Sequence, residues 1–266
     1  MQKKGQNMKR IDRTNEENTS KYGHMIIIKY NNSKDIDVKF DNGYIALHQT
    51  YRNFINGSII NPMIPTVLGK GYYGIGKYVA KINGKHTKEY KVWRAMLNRC
   101  YGKLYQESHK TYENCEVCDE WLNFQVFAEW FHENYYEING EIIDLDKDFL
   151  SSKTKIYSPQ TCVFIPQSIN KTIIHTRNKH SGLPTGVIHA NDNANVYVVK
   201  YRENNKDVFV GRFHSVEDAY NAYLCAKNNR LKDLLNKYKE YMPNNVCDAI
   251  ENYINTNKIK AACEAA

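Results

Sequence analysis

No run of 18 consecutive apolar residues occurs in this 266-residue chain, so no segment reads as a transmembrane helix and no membrane partner is expected. The opening stretch MQKKGQNMKRIDRTNEENTS lacks the apolar core of a secretory signal, and the expected location is cytoplasmic. Cysteine is present in an odd number, seven, without an extracellular context, which argues for thiols rather than a disulfide framework. Cys115 and Cys118 form a Cys-x-x-Cys pair, and Cys100 and Cys162 complete a set of four. No second pair and no His-x-x-x-His accompanies them, so a structural zinc is disfavoured. Phenylalanine and tryptophan are few, nine and three, but 21 tyrosines raise the aromatic share to 12%, which is apolar mass enough for folded cores.

What is present is an uneven distribution of charge. Gly69 to Lys110 carries ten Lys/Arg against Glu89 and Glu107, a composition that suits a phosphate backbone. Thr111 to Leu150 carries eleven acids against Lys147 alone, which suits a divalent metal, a basic partner or plain solvation. Within the acidic run, Asp144, Asp146 and Asp148 fall in five residues. Clustered carboxylates repel one another, so a fold that keeps them together supplies a cation, a basic neighbour or full solvation.

Periodicity predicts an α+β chain of several modules. Residues 1–21 are polar and aperiodic and read as a flexible leader. MIIIKY and the alternating DIDVKFDNGYIAL, turned at Asn42-Gly43, predict a small β module over 22–62. Gly69, Gly71 and Gly74 match G-x-G-x-x-G formally, but that motif binds a dinucleotide only between a strand and a helix. Here a strand-like YVAKI and an Asn83-Gly84 turn follow, which predicts a glycine-rich turn feeding a basic hairpin. Trp93, Met96, Leu97, Cys100 and Tyr101 recur at helical spacing over 90–101, with Arg94 and Arg99 elsewhere on the helix. Asp119 to Tyr135 is aromatic over much of its circumference and predicts a second, largely buried helix. Ile173 to Thr185 contains Arg177, Lys179 and two histidines and no acid, a basic linker able to track phosphates.

From Gly186, the alternation in VYVVKYR and VFVGRF, a polar turn at 203–207 and a third strand at GVIHA predict a three-stranded antiparallel sheet. Ser215 with Asp218 opens a helix bearing Ala219, Ala222, Tyr223 and Ala226, small residues that let it lie close to the sheet. Residues 243–266 predict a last amphipathic helix with a frayed Ala-rich end.

The blocks KVWRAMLNRCY, VCDEWLNFQVFAEWF, LDKDFL, IYSPQTCVF and Asn170 occur in the order found in phage and mobile-element proteins of the HNH endonuclease class, and the 63–172 segment resembles them. The resemblance implies a ββα-metal element in a bacterial host cell, with Mg2+ or another divalent cation hydrolysing DNA phosphodiesters. Carried over by position, Asp146 and Asp148 become metal ligands and, with Asn170, catalytic residues. No histidine lies between His132 and His175, so the general base is either a histidine that follows the block, His175 as the nearer candidate or His180, or missing. Two readings therefore stay open: an active nuclease, or a degenerate HNH fold that binds DNA or, through its acidic 111–150 face, a host defence complex.

The segment 186–242 resembles the Apetala-type DNA-binding domain through Tyr197-Val198-Val199-Lys200-Tyr201, Gly211-Arg212-Phe213 and Ser215 to Tyr223. That resemblance implies that the sheet enters the major groove of double-stranded DNA. By strand alternation Lys200, Arg202 and Arg212 share the face away from the helix. They are the expected DNA contacts, together with Arg94, Arg99, Arg177 and Lys179.

Overall fold

The computed structural model describes residues 11–147, 149, 155–173, 182–203 and 206–258. The fold is mixed α+β, and its strands pair antiparallel. Two compact units divide the chain, Met1–Trp130 and Phe131–Ala266. Their boundary falls inside the 63–172 block that the sequence marks as one domain. No helix among the described residues is long and apolar enough to cross a membrane.

The first unit opens with a four-stranded meander, β1 (Glu17–Ser20), β2 (Gly23–Asn32), β3 (Asp35–Phe40) and β4 (Ile45–Gln49). Alternation puts Met25, Ile27, Ile36, Val38 and Phe40 on one face, where Phe54 of the short helix α1 (Tyr51–Ile55) and Ile59 close the core. The expectation of a flexible leader over 1–21 does not hold for Glu17–Ser20, which pairs residue for residue with Gly23–Ile26, and residues 1–10 lie outside the described residues. Asn18 also donates to the Phe54 carbonyl at 2.6 Å. A polar edge strand held by backbone bonds carries no apolar alternation to reveal it.

A two-residue hairpin follows, β5 (Lys81–Ile82) and β6 (Lys85–His86), turned at Asn83 and Gly84 with φ of 50° and 76°. Both central residues at positive φ define the type I′ turn that Asn-Gly favours. Before it Gly69 lies in a turn, Gly71 bridges back to Val67 and Gly74 lies in irregular chain, with no strand-to-helix transition to cradle a phosphate. Helix α2 (Lys88–Tyr101) buries Tyr90, Trp93, Met96, Leu97 and Cys100, and Trp93 Nε1 donates to the Trp121 carbonyl at 2.7 Å. After α3 (Lys103–Ser108) and the two-residue strand β7 (Glu116–Val117), the expected helix over 119–135 is broken into α4 (Asp119–Leu122) and α5 (Phe124–Asn134). The break is a docking point: the Tyr72 amide donates to Leu122 O, and the Phe124 amide donates to Tyr72 O, each at 2.9 Å.

In the second unit β8 (Ile143–Asp146) pairs directly with β10 (Val163–Pro166), the short strand β9 (Ile156–Tyr157) intervening in sequence but not in their sheet, and α6 (Gln167–Ile173) follows β10 directly. The rings of Phe131, Tyr135 and Phe164, the last on β10, stack edge-on and face-on against one another. Strands β11 (Val187–His189), β12 (Tyr197–Glu203) and β13 (Lys206–Phe213) form the expected three-stranded sheet. Helix α7 (Val216–Tyr238) packs on that sheet, with Ser215 capping its first turn through the Asp218 amide at 3.1 Å. Gly186, at φ +80°, lies so close to the Tyr223 ring that a Cβ there would sit 2.1 Å from it. Helix α8 (Asn244–Lys258) buries Val246, Ile250 and Ile254 at four-residue spacing.

One residue of α7 opposes this packing. Lys227 is 6% exposed, its ammonium 5.5 Å from the Tyr223 ring centroid, and no carboxylate among the described residues pairs with it. Beside it the buried Asn228 Nδ2 has no hydrogen-bond partner among the described residues. Burial pushes the Lys227 pKa down to about 8, below that of the unfolded chain, so keeping it charged near neutral pH costs about 3 kcal/mol. Lys227→Met is expected to raise stability by about 1–3 kcal/mol at pH 7, several degrees in a thermal melt. The advantage should shrink as pH rises above about 8, where the native lysine is already neutral while the unfolded one is still charged. An unchanged melting temperature at pH 7 would contradict the unpaired-charge account.

Candidate nucleic-acid interface

Antiparallel partners that face each other across a ladder project to the same side of a sheet. In β11–β13 the inner side carries Val187, Val199, Tyr201 and Phe213 against Ala219 and Tyr223 of α7. The outer side follows from the register: Val198 faces Arg212, Lys200 faces Phe209, and Arg202 faces Asp207. Lys200, Arg202 and Arg212 thus share the face away from the helix, the side that alternation gives them.

Phe209 and Arg212 are three residues apart, and strict alternation would put them on opposite sides. A register shift between Val199 and Lys200 leaves Val210 as an extra residue in β13, and the resulting bulge returns Arg212 to the Phe209 side. Gly211, paired with Val199, occupies the adjoining position. Phe209 is 64% exposed in the middle of the basic residues, which sequence reasoning missed. The signal was available in the glycine of VFVGRF, since an isolated glycine in a strand pattern marks a bulge.

Two of the three cations are held in place by neighbouring carboxylates. Lys200 Nζ donates to Asp207 at 2.8 Å, and Arg212 donates to both oxygens of Asp192 at 2.6 and 2.8 Å. These contacts, chiefly the hydrogen bonds, hold the Asp207 and Asp192 carboxyls below their usual pKa. All four groups remain solvent-accessible, so the pairs are weak and exchangeable for phosphate. Arg202 is exposed and in no ion pair among the described residues.

Elsewhere the expected site residues fall as follows. Arg94 lies on the solvent side of α2, whereas Arg99 is half-buried with its guanidinium 6.0 Å from the Tyr112 ring. Asp148, His175, Arg177, Lys179 and His180 lie outside the described residues. The strand pair β8 and β10 followed by α6 has the order of a ββα element, with Asp144 and Asp146 on the side opposite the buried Ile143 and Leu145. Asp146 Oδ1 accepts the Phe149 amide at 2.8 Å, and Asn170 is half-buried on α6. The Tyr-Ser-Pro block has a structural role: Tyr157 and Cys162 are buried, and Thr161 Oγ1 ties the turn by accepting the Ser158 amide and donating to Ile156 O. The acidic run 111–150 is divided between the two units, and Glu141 serves packing by accepting from the Ser168 amide and the Tyr238 hydroxyl.

The described residues bring three metal-ligand groups within 4.8 Å of one another at Asp35, Asp37 and His48, not at Asp146. The D-x-D spacing puts both carboxylates on one face of β3, and a bulge in β4 carries His48 to them at φ +54°. The donors are already engaged: Asp37 accepts the His48 amide at 3.0 Å, and Asp35 bonds His48 Nδ1 at 2.9 Å and Asn31 at 2.7 Å. This group fits a lock for the bulge as well as a metal. No cysteine belongs to it; burial pushes the Cys118 thiol up to about 11.

The chain matches no protein-family model, and no curated protein and no solved structure matches it significantly.

The His48 and Asn31 hydrogen bonds hold the Asp35 carboxyl below its usual range. Its folded-state value lies below the unfolded one, so its contribution is full above the ordinary carboxylate range and is lost as pH falls through the folded value. Asp35→Asn is expected to melt below wild type at pH 7, with the gap closing toward pH 3. A gap independent of pH would exclude the ionised lock.

Proposed function

We propose that the chain binds double-stranded DNA through the outer face of β11–β13, as the resemblance to phage and mobile-element HNH proteins with an Apetala-type domain implies. The observation that carries this reading is the shared face of Lys200, Arg202 and Arg212 around the exposed Phe209. A β-ribbon fits the major groove, and arginines on it bond phosphates or the O6/N7 edge of guanine. Phe209 supplies an apolar surface suited to thymine methyl groups. The carboxylates of Asp192 and Asp207 hold Arg212 and Lys200 extended until phosphate oxygens replace them.

In fluorescence anisotropy with a duplex probe, Arg202→Ala is expected to weaken binding about tenfold, and Arg202→Ala/Arg212→Ala by about a hundredfold. Phe209→Ala is expected to cost a few-fold while leaving the salt dependence intact, because it removes apolar contact and no charge. Equal affinities of all three variants and wild type would remove the assigned face.

Divalent-dependent cleavage at the β8–β10–α6 element is a second reading, favoured by the strand-strand-helix order with Asp146 at its end. The described residues there assemble no three-ligand set, so no catalytic step is assigned. Plasmid nicking with Mg2+ or Mn2+, stopped by EDTA and lost in Asp146→Ala, would support the nuclease. Gel shift on the same DNA without nicking would support a binder, whether DNA is its sole target or a host complex is bound as well.

A further inference from the structure

The first unit carries a second set of exposed basic residues that the sheet does not explain. The β5–β6 hairpin exposes every residue from Lys81 to Lys85, with Ile82 58% exposed between the two lysines. Ile75 and Val79, also exposed, lead into it. Helix α2 begins two residues after the hairpin and shows Lys91 and Arg94 to solvent. None of Lys81, Lys85, Lys91 and Arg94 is in an ion pair among the described residues. On the outer sheet face, by contrast, two of the three cations are paired.

The hairpin is firmly held at its base. The Thr87 amide donates to Ala80 O and its hydroxyl to Val79 O, both at 3.1 Å, and the His86 ring stacks on Tyr90 at 4.6 Å. Gln125 clamps the approach, accepting the Tyr78 amide and donating to Tyr78 O, each at 2.9 Å. Lys77, by contrast, is paired with Glu129, so the anchored end is neutralised and the free tip is not. The type I′ turn narrows the tip to Asn83 and Gly84. On the anchored ribbon Ile82 faces Lys85 across the ladder and projects with it, while Lys81 projects to the other side with His86. Lysines on both sides and an exposed isoleucine beside one of them combine phosphate contacts with an apolar wedge, the pair of features that grips and unstacks a duplex groove.

We infer that the β5–β6 hairpin and the solvent face of α2 form a second duplex-DNA contact, with Lys81, Lys85, Lys91 and Arg94 on phosphates and Ile82 entering between bases. This contact rests on the reading of the chain as a DNA-binding protein, and it deepens that reading by assigning the groove-wedging role to the first unit. Its partner is chosen by charge: four unpaired cations meet a polyanion, and the wedge distinguishes a stacked duplex from a merely acidic surface.

The test uses the full chain. Anisotropy of a labelled duplex across a salt series is measured for wild type, Lys81→Ala/Lys85→Ala, Ile82→Ala and Arg202→Ala/Arg212→Ala, with a thermal melt of each. The lysine pair is expected to lower affinity about tenfold and to reduce the slope of log K against log salt by about 2. Ile82→Ala is expected to keep that slope but to reduce duplex bending measured by end-to-end energy transfer. An unchanged slope in the lysine variant, with the arginine variant impaired, overturns this contact and leaves the sheet reading intact. An unaffected arginine variant with an impaired lysine variant does the reverse. Absence of duplex binding by wild type, or lysine-dependent binding to anionic vesicles in place of DNA, overturns the inference.

Discussion

The packing of Val187, Val199 and Phe213 against Ala219 and Tyr223 of α7 decides which residues of the C-terminal sheet meet solvent. Because side chains alternate along a strand, burying one set obliges the other to project outward, and a slip of one residue would exchange them. The close approach of Gly186 to the Tyr223 ring and the small side chain of Ala219 let the helix lie flat enough for this selection. The bulge at Val210 then makes a local exception, which brings Arg212 to the side of Lys200, Arg202 and Phe209. Proposed DNA binding by this sheet is thus a consequence of its core.

Much of this unit is legible in the sequence, because two strands with clean alternation and a capped helix with small residues leave little freedom. Strands β11 to β13, the Ser215 cap and the outward placement of Lys200, Arg202 and Arg212 all follow from pattern. Phe209 was not foreseen at the centre of the face, since its position relative to Arg212 depends on a bulge that only pairing reveals. In the first unit β1 was missed because it is polar and owes its place to backbone bonds and to Asn18. The break at Asn123 was missed because an aromatic run reads as one helix until Tyr72 inserts its backbone between the two turns. The Asp35, Asp37 and His48 group required a cross-strand bulge that the spacing D-x-D does not announce.

The charges divide into those that serve the fold and those that remain available. Arg13 with Glu16, Lys77 with Glu129 and Arg230 with Glu203 are tied within their own units. Lys81, Lys85, Lys91, Arg94 and Arg202 are in no ion pair among the described residues, and they fall on a hairpin, a helix face and a sheet face that all meet solvent. Lys227 belongs to neither group, because it is buried with no paired carboxylate among the described residues and works against the stability of α7. Surface cations without partners favour association with a polyanion over internal stability.

Hydroxyl-radical footprinting of the free and duplex-bound protein, read residue by residue by mass spectrometry, tests the central claim most directly. Phe209 is exposed in the free chain and lies at the centre of the proposed face. The account predicts that its oxidation slows several-fold when DNA is bound, while exposed Leu104 of α3, which belongs to neither proposed contact, reacts at its free rate. Oxidation of Phe209 at an unchanged rate in the saturated complex would contradict binding through this sheet.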